Sequence, residues 1–138
     1  MKRVFADADY LIALLNPREE LHQKAKAVSE ALGQVRVVTS EVVLAEVLTF
    51  YADKGATVRE TAARTVSGLA SNPNVTVVQQ TSLEFQEALS FYRQHKDKDW
   101  SFTDCASFRI MREAGLTDAL SHDRHFEQAG FTALLRSG

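Results

Sequence analysis

Lys2-Arg3-Val4-Phe5-Ala6-Asp7-Ala8-Asp9-Tyr10-Leu11-Ile12-Ala13-Leu14-Leu15 is the stretch that decides how this chain folds. Val4 to Ala6 is a short apolar run of the kind found in a strand buried on both faces, and it stops at two carboxylates separated by one alanine. The apolar residues that follow, Tyr10, Ile12, Ala13 and Leu14, are too dense for a half-exposed strand. They fit a buried first helix, with Asp9 as its expected N-cap. A buried strand then delivers Asp7 to its carboxyl end just before a helix begins, which is where open α/β sheets bind ligands.

The rest of the chain repeats this alternation. Asn16-Pro17 ends the first helix, because proline disfavours helical geometry in the residue before it. A second helix is expected over 18–32, with Gly33 as its stop, and the β-branched run Val35 to Val38 reads as a strand. Further helices are expected over 41–54 and 57–71, then a strand over Val75 to Val78. The next helix starts at Ser82, with Phe85, Ala88, Leu89 and Tyr92 along its expected buried face, and ends in the charged loop His95 to Asp99. Ser101 followed three residues later by Asp104 resembles a capping box, which predicts a helix to Ala114 closed by Gly115. Strands over 116–121 and 131–135 complete the pattern. This order predicts an α/β fold of three layers, a central mostly parallel sheet of about four or five strands with helices on both faces, in one domain over 1–138.

With 138 residues and 45% apolar content the chain has enough material for one core. It carries no apolar run near the length that spans a bilayer and no signal-peptide pattern, so a soluble, cytoplasmic protein without a membrane partner is expected. A formal net charge of -2 argues against a surface coated in positive charge, although a local basic patch can still sit beside an acidic centre. The single cysteine, Cys105, lies inside an apolar helical pattern and reads as a buried structural thiol.

Four acids stand out by their context. Asp7 and Asp123 each follow an apolar strand, and Glu46 and Asp104 each lie within an apolar helix surface. Asp7, Asp104 and Asp123 also have plain structural roles open to them as helix or turn caps. Glu46, in mid-helix among Val42, Val43, Thr49 and Phe50, has none, and must be buried with a compensating partner or face a cavity. Carboxylates that converge repel one another unless an ion neutralises them. Oxygen ligands suit Mg²⁺ or Mn²⁺, and no zinc-type Cys/His spacing is present. Asp99 reads as an outer member of such a site, and Ser101 and Thr103 as hydroxyls that orient Asp104 or a bound water. His122 and His125 flank Asp123, where an acid-base or metal role is open to them, but exposed loop histidines are the commoner case and that is the reading adopted. The absence of a phosphate-cradling glycine loop weighs against an NTPase or dinucleotide enzyme. A phosphoacceptor of the response-regulator kind needs a lysine where this chain has Ala119-Leu120-Ser121.

At these residues the chain resembles the PIN-domain nucleases, and within them the VapC-type toxins of toxin-antitoxin systems. The resemblance rests on Val4-Phe5-Ala6-Asp7, on Thr39-Ser40-Glu41-Val42-Val43-Leu44-Ala45-Glu46-Val47-Leu48, on Ser101-Phe102-Thr103-Asp104-Cys105-Ala106-Ser107-Phe108, and on Leu120-Ser121-His122-Asp123-Arg124-His125-Phe126 with Gly130-Phe131 after it. Each block alone is weakly specific, and their order and spacing together are strong. The resemblance implies that Asp7, Glu46, Asp104 and Asp123 form an acidic quartet holding one or two Mg²⁺ or Mn²⁺ ions, which activate water for attack on an RNA phosphodiester. It also implies a homodimer and a small antitoxin that blocks the site. Ala8 and Ser121 depart from the commonest pattern, a hydroxyl residue being frequent at the first position and threonine usual at the second; Ser121 keeps the hydroxyl. Arg93, Lys96, Lys98 and Arg124 are candidates to steer the RNA backbone. Competing readings are a PIN-domain RNase of RNA processing without an antitoxin, and a catalytically silent module that only binds RNA or protein.

Overall fold

Val4, Phe5 and Ala6 have no solvent exposure, because the strand they form runs through the middle of the sheet. The computed structural model describes residues 1–136, so the last two positions of the expected 1–138 domain lie outside the described residues. Its strands are β1 (Arg3–Ala6), β2 (Arg36–Ser40), β3 (Val75–Val78), β4 (Asp118–Leu120) and β5 (Thr132–Ala133). Every neighbouring pair is parallel, in the order β3-β2-β1-β4-β5. The helices are α1 (Ala8–Leu15), α2 (His22–Leu32), α3 (Glu41–Phe50), α4 (Ala56–Ser71), α5 (Ser82–Gln94), α6 (Phe102–Ala114) and α7 (Arg124–Gln128).

The chain winds outward from β1 to β2 and β3, then returns to the other side of β1 for β4 and β5. Right-handed crossovers put α1 to α4 on one face and α5 to α7 on the other, as expected for three layers. The winding reverses between β1 and β4, and the carboxyl ends of those two strands frame the crevice where such sheets bind ligands.

Aromatic packing fixes the elements around that crevice. Phe108 of α6 meets Trp100 edge-on at 5.0 Å between ring centroids and Phe126 of α7 at 4.9 Å. Phe126 in turn lies 6.3 Å from Phe5 of β1. Phe5, Phe108 and Phe126 are fully buried, and each contributes about 2–3 kcal/mol of hydrophobic stabilisation. Cys105 is buried as expected, and burial, followed by the charge of Asp104, pushes its thiol up to about 11, where it is inert.

Several boundaries differ from the sequence reading, each for a local reason. The N-cap position of α1 is occupied by Asp7, not Asp9; Asp7 has extended backbone angles and Asp9 already lies in the first helical turn. The helix expected from residue 18 starts at His22. Asn16 accepts a bond from the Arg18 N–H through its side chain and from the Glu19 N–H through its carbonyl, so the chain turns first. The helix expected to reach residue 54 is regular only to Phe50, and the expected strands over 116–121 and 131–135 shorten to β4 and β5. On α5 the buried residues are Ala88 and Phe91, while Phe85 and Tyr92 are exposed. The inward stripe starts at Glu84, which forms an ion pair with Arg109 of α6. A charged residue on the packed face shifted the apparent apolar phase by one position.

Candidate metal centre

At the crevice between β1 and β4, Asp7, Glu46, Asp104 and Asp123 all line one open cleft of about 390 Å³. They come from four different elements. Asp7 follows β1 at the N-cap position of α1, Glu46 projects from α3, Asp104 lies in the first turn of α6, and Asp123 is the N-cap of α7. Asp99 and Ser101 also border the cleft; Thr103 is half-buried on α6 and does not. Glu46 is exposed at the mouth, while Val43, Leu44 and Val47 form the buried face of α3. Of the two situations open to Glu46 in the sequence, the one found is a carboxylate facing a cavity.

The capping roles divide the acids. Asp104 makes a complete capping box: Ser101 Oγ accepts from the Asp104 N–H at 3.0 Å, and Asp104 Oδ2 accepts from the Ser101 N–H at 3.0 Å. Asp123 accepts from the His125 N–H at 2.9 Å. Both therefore serve the fold and the cleft together. Asp7 sits at the N-cap position of α1 without any side-chain capping bond. Its carboxylate instead accepts from Ser121 Oγ at 3.0 Å. A buried aspartate at a helix start that does not cap the helix has no local structural reason to be there.

Ser121 is the hub beneath the acids. It is fully buried, and its oxygen accepts from the Asp123 N–H at 3.0 Å. That oxygen lies 3.0 Å from Asp7 Oδ2 and 3.4 Å from Asp9 Oδ2, and its single proton can serve only one of them at a time. Asp9 is anchored mainly by the His122 N–H, at 2.8 Å from its Oδ2. Its other oxygen, Oδ1, is buried and has no hydrogen-bond partner.

This arrangement is electrostatically expensive. Burial pushes the Asp7 carboxyl up to about 8, with the charges of Asp9 and Asp104 adding to the effect and the Ser121 bond opposing it. Burial, followed by the charge of Asp123, raises Asp9 as well, against the pull of the His122 and Tyr10 backbone bonds. A cation would relieve both groups.

The residues present fit a divalent cation. The donors are predominantly carboxylate oxygens, one buried oxygen lacks a partner, and an oxygen each from Asp104 and Asp123 lies with a ring nitrogen of His125 inside a span of 4.8 Å. Asp7 and Glu46 face the same cleft without joining that trio. The model of the PIN domain matches residues 4–132.

The chain belongs to the PIN-domain family.

This PIN domain is 29% identical over 128 residues to the 23S rRNA-specific endonuclease VapC20 of Mycobacterium tuberculosis, covering 93% of this chain and 95% of that protein. The crystal structure of that VapC20, a Sarcin-Ricin loop cleaving toxin, superposes with a TM-score of 0.81 at 28% identity, over 94% of this chain and 96% of the other. FitAcB from Neisseria gonorrhoeae shares the fold, with a TM-score of 0.67 at 14% identity over 94% of each chain.

Two side chains in the cleft were given other roles in the sequence reading. Asp9 was assigned to the helix cap. His125, for which an exposed loop was preferred over a metal or acid-base role, has a side chain only 18% exposed and bonds Asp104 Oδ2 through Nδ1 at 2.8 Å. A signal for it existed: with Asp123 as N-cap, residue 125 sits two positions on, held by the capping bond against the same acid.

Proposed function

We propose that this PIN domain is an endoribonuclease that hydrolyses RNA phosphodiester bonds with Mg²⁺ or Mn²⁺ and acts as the toxin of a toxin-antitoxin pair. The observation that carries the reading is the convergence of Asp7, Glu46, Asp104 and Asp123 on one cleft at the reversal of the sheet, with Asp7 left uncapping and Asp9 Oδ1 unpartnered. The relation to VapC20 across nearly the whole chain supports the choice of RNA over other phosphodiesters.

In this reading Asp7, Asp104 and Asp123, with Glu46 at the mouth, would hold one or two ions. Such ions supply an activated water and neutralise charge building on the phosphate. The protein's own contribution is to hold the carboxylates in place before substrate arrives. Ser121 aims Asp7 and fixes the backbone at Asp123, while the capping box with Ser101 locks Asp104. Asp99 borders both this cleft and a neighbouring one lined by Arg93, Lys96 and Lys98. Those cations give the RNA backbone a track to the acids, and Arg124, exposed on α7, extends it.

The protein is further proposed to work as a single domain, as a homodimer, in the cytoplasm, restrained by a small cognate antitoxin. Among the described residues no helix is long and apolar enough to cross a membrane.

Cleavage of a structured rRNA fragment by the purified protein tests the activity. Mg²⁺ or Mn²⁺ should support it, and EDTA, Asp7→Asn and Asp104→Asn should each lower it by about a hundredfold or more. Equal cleavage under all these conditions would assign the activity elsewhere.

A further inference from the structure

His125 stands closer to the acids than a surface histidine has reason to. Its Nδ1 lies 2.8 Å from Asp104 Oδ2 and 3.3 Å from Asp123 Oδ1, so one nitrogen sits between two carboxylates from two elements. The ring is held there from behind. The His125 N–H is bonded to Asp123 Oδ1, and the next residue, Phe126, is fully buried against Phe5 and Phe108. A histidine serving only to orient Asp104 would need one of these contacts. Nδ1 instead reaches both acids, and one ligand atom from each of the three residues falls within 4.8 Å of the others, a spacing that ligands around one ion can take.

We propose that Nδ1 of His125 is a direct ligand of the catalytic ion, and that this nitrogen makes the site prefer Mn²⁺ to Mg²⁺. The proposal rests on the metal-dependent reading of the cleft and adds a nitrogen donor to its carboxylates. A neutral imidazole can present Nδ1 as an acceptor by carrying its proton on Nε2, so ligation needs only the other tautomer of the ring. Mg²⁺ gives up water reluctantly and favours oxygen, whereas first-row transition ions accept imidazole readily. The acids alone would hold either ion; the histidine tilts the choice.

Pulsed EPR of the Mn²⁺-loaded protein reads the bond directly, because a coordinated imidazole imprints ¹⁴N modulation on the electron spin echo. The wild-type protein should show that modulation, and histidine labelled with ¹⁵N should replace it with the ¹⁵N pattern without any change of sequence. His125→Gln should lose it while His122→Gln keeps it. Calorimetry should find Mn²⁺ affinity lowered by about tenfold or more in His125→Gln, and Mg²⁺ affinity lowered much less. Mn²⁺ bound without nitrogen modulation, or modulation surviving His125→Gln, would overturn the proposal and leave the carboxylate site standing. Failure of the wild-type protein to bind Mn²⁺ would overturn the metal site and this ligand with it.

Discussion

Replacing Asp7 by asparagine changes the charge of the cleft while keeping its shape. The Asp7 carboxyl is held at about 8 instead of its ordinary 3.8, first by burial and then by the charge of Asp9. Across that interval the folded, metal-free chain keeps a proton that the unfolded chain has already released. Stability that is fully present below about pH 4 is therefore lost as pH rises toward about 8, by about 1.4 kcal/mol per pH unit. The Asp7→Asn protein has no such proton to lose, and its amide oxygen can still accept from Ser121. Urea unfolding in EDTA, followed by the fluorescence of the buried Trp100, measures both proteins. The stability of Asp7→Asn relative to wild type should grow by about 2 kcal/mol between pH 6 and pH 8 and level off above that. Saturating Mn²⁺ should reverse the order by stabilising the wild type more. A difference that stays constant from pH 6 to pH 9 would refute the claim that Asp7 is buried among like charges.

Ser121→Ala removes one donor and one acceptor beneath the acids, leaving Asp7 and the Asp123 N–H without their partner. It should cost about 1–3 kcal/mol in thermal or urea unfolding and weaken Mn²⁺ binding by about tenfold or more in calorimetry. Glu46→Gln alters an exposed carboxylate at the mouth, so it should leave stability within about 0.5 kcal/mol of wild type while RNA cleavage falls sharply.

The fold was readable because its signals are local and mutually consistent. Val4 to Ala6 could only be a strand buried on both faces, and Gly115, at φ 70, closes α6 where the sequence placed a helix stop. The boundaries that moved depend on contacts distant in sequence. The inward phase of α5 hung on Glu84 meeting Arg109 of another helix, which no local pattern contains. The same division runs through the cleft. Asp7, Glu46, Asp104 and Asp123 could be named because each acid interrupts an apolar element. Asp9 could not, since a cap was a sufficient local explanation, and the residue at the N-cap position, Asp7, turns its carboxylate to Ser121, 114 positions away. A metal or acid-base role for His125 was open but ranked below an exposed loop, because its place between Asp104 and Asp123 arises only when α6 and α7 pack around Phe108 and Phe126.

Crystals soaked in Mn²⁺ and measured at an X-ray energy where manganese scatters anomalously would locate the ion itself. The anomalous peak should stand in the cleft within coordination distance of Asp7 and Asp104, and Asp104→Asn should abolish or weaken it. A cleft without a peak at saturating Mn²⁺, or a peak held by other residues, would contradict the view that these distant acids assemble to bind a divalent ion.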